Sequence, residues 1–469
     1  MTDPANTLWV FMHSEPIGVA ARGRRGAVYF SYLPDRLEGS TPLSLSLRPD
    51  RSGLAEISDW IDGLLPDNPR TRSRWARDFD APSNDPFDLL GTEAGLECAG
   101  AVQFHSGSEL PEPRRNELVP LSESGVAQAL REVMQDAEDA VYEAPGRLWV
   151  SLPGAQPKLA LRLTDDGWRL PTGALATTHI LKPQRGHLNQ LLRDSIAVNE
   201  HLCQTAAAMI GLSAASTALW TFEDEVCLVS ERFDRRVDPN RVHRLHFEDL
   251  CQALGFAPSR KYQAEGGPGP ETILRFLREE GGPASRREFF LVAFYNHLIG
   301  NSDGHAKNHG MIYDGSLPRL APAYDLSSTA IYPELGEQAK IPAMRFSGPQ
   351  PATLRQWAQI ASRHGVHVDV DELHGLAGSL PEALESAAAQ CPEWAAETVD
   401  RVCESLVIQV RCATPSRGDR FSAPRSETPQ GDDEGAECGE IVTSTGKPCL
   451  LRRDHGGRHR SVLRKSDTR

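Results

Sequence analysis

Asp303 and Asn308 stand five positions apart in the run Gly300-Asn-Ser-Asp-Gly-His-Ala-Lys-Asn308. That offset suits phosphoryl transfer, where one side chain accepts a hydroxyl proton and another supplies an oxygen to magnesium. A carboxylate must face the nucleophile while a neutral oxygen turns back toward the phosphates, and a helix end followed by a tight loop supplies both directions. A second carboxylate, Asp325, follows a β-like hairpin made of Gly310–Tyr313, a turn at Asp314-Gly315 and Arg319–Tyr324. It is available to magnesium, a hard ion that favours oxygen ligands. Taken singly, Asp303 reads as a turn residue and Asp325 as a helix N-cap before Leu-Ser-Ser. Their joint spacing, with His305 and Lys307 inside the loop, favours the catalytic reading.

Upstream, Ser151-Leu-Pro-Gly154-Ala155-Gln156-Pro-Lys158 lies between two β-like runs, Leu148–Ser151 and Lys158–Leu163. It reads either as a simple hairpin or as a loop whose backbone N–H groups cover phosphates. No Gly-Lys-Ser/Thr follows, so it is not a Walker A loop. Lys182 ends the β-like run His179-Ile-Leu-Lys182-Pro183, the place from which a protein-kinase lysine reaches the α- and β-phosphates; the bland alternative is an edge lysine on a solvated strand. Glu200, on the next helix, either orients Lys182 or faces solvent.

The elements that must position these residues follow from periodicity. Residues 8–105 alternate short β-like runs (Trp9, Phe11; Ala27, Tyr29, Ser31, Leu33) with turns and a helix near Leu54–Leu65, a small α+β unit showing no chemistry of its own. From Arg147 the pattern changes to strands, including Thr178–Lys182, and then to a helix over Ser195–Ile210 that Gly211 stops. A strand over Glu225–Ser230 runs into Glu231-Arg-Phe-Asp-Arg235. Beyond it the chain is mainly helical, with Phe290, Phe294 and Leu298 one turn apart and Gly300 closing their helix. A strand-rich lobe followed by a helix-rich lobe predicts an α+β layout with a cleft between lobes. The five-residue offset of Asp303 and Asn308, that of a protein-kinase catalytic loop, makes a bilobal, protein-kinase-like fold the expectation. The expected segments are a β-rich amino-terminal subdomain (1–110), an N-lobe with the Gly-bearing loop (111–236), a helical C-lobe with the catalytic loop (237–412), a disordered linker (413–437) and a basic Cys/His tail (438–469).

Composition bounds the function. The 469 residues are 39% hydrophobic and 24% charged, the balance of a soluble globular protein of two or three domains. Fifty Lys and Arg against 64 Asp and Glu give −14, a field that repels a phosphate backbone and argues against sequence-independent DNA binding by the whole chain. No stretch approaches the ~20 continuous apolar residues of a membrane helix. Met1–Arg22 reaches its first positive side chain only at Arg22 and lacks a long apolar core, so no secretory signal is read there and a cytoplasmic location is expected. The nine cysteines are an odd, scattered set, read as reduced and mostly buried thiols apart from Cys438 and Cys449.

The chain resembles the HipA family of serine/threonine kinases, the toxin halves of bacterial toxin–antitoxin pairs. The resemblance is carried, in the family's order, by Leu64-Leu-Pro-Asp67, Ala99-Gly-Ala-Val102, Ser151–Lys158, Leu181-Lys182-Pro183, Glu231–Arg235, Glu248-Asp-Leu-Cys-Gln252, Lys261-Tyr262 with Gly266-Gly-Pro-Gly269, Gly300–Asn308 and Tyr324-Asp325, and spans residues 8–410. It implies ATP- and Mg-dependent phosphorylation of a protein Ser or Thr. By position, Asp303 would be the base, Asn308 and Asp325 the magnesium ligands, and Lys182 the phosphate-binding lysine, with Gly154, Ala155, Gln156, Lys158, His305 and Lys307 around the nucleotide. Glu231 and Phe233 would lie at the hinge that meets adenine, and Ser151 matches a Gly-loop serine that family members autophosphorylate. The resemblance also implies a helix-turn-helix antitoxin of the HipB kind as partner, DNA contact only through it, and an aminoacyl-tRNA synthetase as one candidate target.

The tail departs from that family. Cys438, Cys449, His455 and His459 offer two thiolates and two imidazoles, the ligand types of tetrahedral zinc, and two readings stand side by side: a small zinc knuckle or a disordered basic tail. For the whole chain, the readings in competition are an active protein kinase, a lipid or small-molecule kinase, and a catalytically weak kinase-fold scaffold that binds an antitoxin for transcriptional autoregulation. The complete set Lys182, Asp303, Asn308 and Asp325 favours an active kinase over the scaffold.

Overall fold

The structure, a computed structural model, describes residues 6–35, 40–47, 53–111, 116–137, 154, 156–184, 195–239, 241–315, 317–337, 341–416, 441–442 and 447–448. The chain divides into two units, Met1–Gly418 and Asp419–Arg469. In the second, Ile441–Val442 pairs antiparallel with Lys447–Pro448. Ser151, Ala155, Cys438, Cys449, His455 and His459 lie outside the described residues.

The first unit opens with β1 (Thr7–Met12), β2 (Glu15–Arg22), β3 (Val28–Tyr32) and β4 (Ala55–Glu56), followed by α1 (Ser58–Asp62), α2 (Pro69–Asp78), α3 (Pro86–Leu90) and β5 (Val102–His105). These strands form an antiparallel sheet in the order β4-β3-β2-β1-β5. One face buries Val10, Phe30 and Phe104 against Trp60, Leu64 and Leu90. The helix expected over Leu54–Leu65 is shorter: Ala55 and Glu56 pair with Phe30 and Tyr29, and α1 ends at Gly63. Competing strand pairing takes its first residues, and Pro66 lies just beyond its end.

A six-stranded sheet follows, ordered β10-β11-β9-β7-β8-β6, from β6 (Leu118–Pro120), β7 (Leu159–Thr164), β8 (Gly167–Pro171), β9 (His179–Pro183), β10 (Thr217–Phe222) and β11 (Glu225–Glu231). Side chains alternate across it with period two. Leu159, Leu161, Leu181 and Val229 bury one face against Val126 and Leu130 of α4 (Glu123–Ala137). Ala160, Ile180 and Lys182 therefore point to the other face. β9 is an inner strand of this sheet, so Lys182 is not the edge lysine the sequence allowed.

The rest is mainly helical. α5 (Ile196–Met209), α6 (Leu250–Leu254), α7 (Pro270–Glu280), α8 (Gly282–Ile299), α9 (Leu354–Arg363), α10 (Val370–Ala388) and α11 (Ala396–Ala413) pack around Phe289, Phe294, Tyr295, Leu380 and Leu406. Two small sheets complete it, β12 (Arg235–Asp238) with β13 (Arg241–Arg244), and β14 (His246–Asp249) with β15 (Gly310–Tyr313) and β16 (Arg319–Leu320). The architecture is α+β and protein-kinase-like, as expected, and its β-rich amino-terminal region and helical carboxy-terminal part are those the periodicity predicted. Ala413, expected to open the linker, is the last residue of α11, and Ser416 pairs with Thr353. Of the seven cysteines described, five are buried, but Cys391 is half-buried and Cys412 exposed at the helix end. No helix among the described residues is long and apolar enough to cross a membrane.

Candidate active site

α8 leads into the loop Gly300–Asn308. Its C-cap, Gly300, takes φ 68°, and a Cβ there would meet Ala330 Cβ at 2.5 Å, so both conformation and space demand glycine. The loop then closes on itself: Asp303 N–H donates to Asn301 Oδ1 (2.9 Å), and Asn308 Nδ2 donates to the Asp303 carbonyl (2.9 Å). The latter bond commits the Asn308 nitrogen and leaves its side-chain oxygen as the available acceptor.

Asp325 follows β16 with φ 60°, a left-handed conformation uncommon for a residue with a Cβ. No helix follows it, so the N-cap alternative is excluded. α5 holds the chain on both sides: Gln204 Nε2 donates to the Ala323 carbonyl, Leu326 N–H donates to Gln204 Oε1 (3.3 Å), and Ser328 N–H donates to Asn199 Oδ1 (3.1 Å). Between these positions on the same helix sits Glu200. Lys182 Nζ donates to Glu200 Oε1 (2.7 Å) and to Asp325 Oδ1 (2.5 Å), so one ammonium joins sheet, helix and loop. Burial works against the Lys182 charge, but the two carboxylates hold its proton on. Burial likewise opposes the Asp325 charge, and Lys182 outweighs it, keeping that carboxyl well below the usual range. Glu200 shows the reverse balance, burial raising it. Lys158 is pushed down to about 8 by burial and by the neighbouring Lys182 charge.

These groups line a cavity of about 280 Å³ that brings together Gly154, Gln156, Lys158, Lys182, Glu231, Phe233, Asp303, His305, Lys307, Asn308 and Asp325. At its apolar end the Phe233 ring packs against Phe247 (5.3 Å between centroids) and Tyr324 (5.5 Å), with Ala99 and Ile180 beside them. His305 is driven down to about 4, chiefly by burial, and is neutral at pH 7. The site is an apolar slot running into a cluster of lysines and carboxylates, a shape that fits a nucleoside at one end and phosphates with a divalent cation at the other.

The amino-terminal subdomain, which the sequence left without chemistry, also reaches this cavity. Asp67 accepts from Lys307 Nζ (2.8 Å) and Lys261 Nζ (3.0 Å), while its N–H donates to the Gly154 carbonyl (3.1 Å). Burial opposes its charge, but the two lysines bring Asp67 down to about 2. Asp67 therefore contributes stability that is fully present above the ordinary carboxylate value of 3.8 and lost as pH falls toward 2. An Asp67→Asn protein is expected to melt earlier than wild type at pH 7, by about 1–2 kcal/mol for this partly exposed pair, and the gap is expected to narrow below pH 3.8. Calorimetry at several pH values checks this; a gap that widens in acid contradicts it.

A second long-range feature sits beside Phe233. Glu97 accepts from Arg232 Nη1 (2.9 Å), Arg235 Nη2 (3.0 Å) and Arg244 Nη2, and Arg232 also grips Asp234 with two bonds (2.9 and 2.8 Å). Asp234 Oδ2 in turn accepts from Gly100 N–H (2.7 Å). Sequence reasoning missed Asp67 and Glu97 as site-shaping residues; the signal available was their place in Leu64-Leu-Pro-Asp67 and next to Ala99-Gly-Ala-Val102.

Fold and cavity together define a protein-kinase-like enzyme scaffold with an extra amino-terminal unit. Residues 8–105 match the HipA N-terminal domain and residues 150–405 the HipA-like C-terminal domain. Y4mE of Sinorhizobium fredii, named provisionally as a kinase, is 34% identical over 371 residues, covering 75% of this chain and 84% of that protein. The serine/threonine-protein kinase toxin HipA of Shewanella oneidensis is 28% identical over 386 residues, covering 77% and 84%. A solved complex of Shewanella oneidensis HipA with HipB and operator DNA contains a chain similar to this one at TM-score 0.71 and 25% identity, covering 86% of this chain and 97% of that one. The chain belongs to the HipA family of toxin kinases.

Proposed function

We propose that the chain is an ATP-dependent serine/threonine protein kinase that uses magnesium and silences itself at Ser151. The observation that carries this reading is the Lys182 ammonium bonded to both Glu200 and Asp325 at one end of the cavity that Asp303 and Asn308 line. A protein kinase needs this lysine–glutamate pair and the magnesium-binding aspartate in place together. Phe233, Phe247 and Tyr324 would hold adenine, and Lys182 with Lys158 would hold phosphate oxygens. Asp325 and the free oxygen of Asn308 would hold magnesium, which would supply positive charge to offset the negative charge of the phosphates. Asp303 would take the proton of a Ser or Thr hydroxyl as its oxygen bonds to the γ-phosphorus and the bond to the ADP oxygen breaks. A phosphate on Ser151 brings about −2 charge into the loop that meets the nucleotide, so repulsion opposes further ATP binding.

A helix-turn-helix antitoxin of the HipB kind is the proposed partner, with DNA reached through it; the Shewanella HipA complex and the net charge of −14 support this. An aminoacyl-tRNA synthetase is the proposed target class. Zinc at Cys438, Cys449, His455 and His459 is proposed for the tail on ligand chemistry alone.

The test is phosphate transfer from labelled ATP with magnesium to the purified, initially unphosphorylated chain. Label on Ser151 in wild type, lower by about 10²- to 10⁴-fold in Asp303→Ala, is the expected result. Wild type that binds ATP and takes no label overturns the reading. A Ser151→Ala enzyme that still loses activity after preincubation with ATP overturns the self-silencing.

A further inference from the structure

We infer that Tyr262 is a positioning residue for the Asp303 carboxylate, fixing Oδ1 so that Oδ2 is presented to the substrate hydroxyl; this rests on the kinase reading above. The Asp303 backbone is held at both ends, its N–H on Asn301 Oδ1 (2.9 Å) and its carbonyl by Asn308 Nδ2 (2.9 Å) and His305 N–H (2.7 Å). None of these bonds reaches the carboxylate, and the side chain is 56% exposed. Among the described residues the hydrogen bond to it comes from Tyr262 Oη, 2.5 Å from Oδ1. His305 Nε2 stands 3.9 Å away, too far for a hydrogen bond. The terminal torsion of an aspartate is broad, so without the phenol the carboxylate is free to turn.

Tyr262 is itself anchored. Its carbonyl accepts from Glu265 N–H (3.0 Å) and Gly267 N–H (3.0 Å), and its ring meets His305 edge-on at 5.0 Å. Gly267 admits no side chain, because a Cβ there would lie 1.9 Å from the Arg260 carbonyl oxygen. The glycine-rich run Gly266–Gly269 thus folds a tight support beneath a phenol that acts on a base 41 residues further along the chain. Burial and the Asp303 carboxylate keep the Tyr262 proton in place, so the phenol acts as donor.

Tyr262→Phe keeps the ring on His305 and removes only Oη. The experiment compares wild type and Tyr262→Phe in the initial rate of label incorporation into the chain at saturating ATP, the KM for ATP, and ADP affinity by calorimetry. The rate is expected to fall about ten- to a hundredfold, the worth of a hydrogen bond to a charged group, while KM and ADP affinity stay within about twofold. An unchanged rate overturns the inference, as does a faster one, which would make the phenol a block on the base, and so does a parallel loss of ADP affinity, which would make the role merely structural. Absence of transfer by wild type overturns the kinase reading and this inference with it.

Discussion

A Lys182→Met enzyme is expected to lose about 10²- to 10³-fold in kcat/KM for phosphate transfer, the effect of removing one preorganised charge-stabilising donor. The loss has two sources. On the proposed function the phosphate oxygens would lose a buried ammonium, and Asp325 loses the cation that holds it ionised. The same substitution acts on stability through Glu200, whose side chain is 6% exposed and would be left without its ammonium partner. Breaking a buried pair costs about 3–5 kcal/mol, and here part is recovered because Glu200, already raised by burial, can take a proton. The sign is definite: a carboxyl whose folded value lies above its unfolded one favours the fold at low pH and loses that contribution as pH rises through the folded value. The variant should therefore lie closer to wild type in melting temperature at pH 5 than at pH 8. Steady-state kinetics and calorimetry at both pH values check this; a variant with wild-type kcat/KM would remove Lys182 from the site.

Glu97→Gln is expected to destabilise the protein by about 3–5 kcal/mol in urea unfolding at pH 7, although it changes the side chain by little more than one atom. Glu97 and Asp234 are the two carboxylates that balance Arg232, Arg235 and Arg244. Arg232 and Arg235 expose at most 1% of their side chains, so water cannot substitute for the lost charge. The amide also turns N–H groups toward guanidinium donors that need an acceptor. Burial opposes the Glu97 charge, yet the three arginines hold it far below the usual 4.5. Its stabilisation is accordingly present above 4.5 and lost as pH falls toward the folded value, so the wild-type advantage should persist down to moderately acid pH. A loss under about 1 kcal/mol would show that the cluster does not hold residues 232–244 to the amino-terminal subdomain.

The loop Gly300–Asn308 was legible because its pattern is local. Asp303 and Asn308 are read by spacing, Gly300 by its place at a helix end, and Lys182 by the strand that carries it. Glu200 was named with two fates open, and the α5 backbone decided between them by presenting it to Lys182. Tyr262, Asp67 and Glu97 were not legible as working residues, because each acts on a partner brought near by folding. Nothing in the spacing of Glu97 and Arg232, separated by 135 positions, announces a bond. Helix ends were the weaker readings: Trp60, Ile61, Leu64 and Leu65 have helical spacing, but strand pairing at Ala55 and the stop at Gly63 confine the helix to Ser58–Asp62.

The cluster around Glu97 joins the two family domains. Its cations belong to the stretch that matches the carboxy-terminal family domain, and Glu97 belongs to the amino-terminal one. Separating the two would leave the three arginines with Asp234 as their counter-charge, and would take Asp67 from the two lysines it holds. The two domains are thus coupled through charge: a substitution at Glu97 or Asp67 is felt by arginines and lysines of the carboxy-terminal domain.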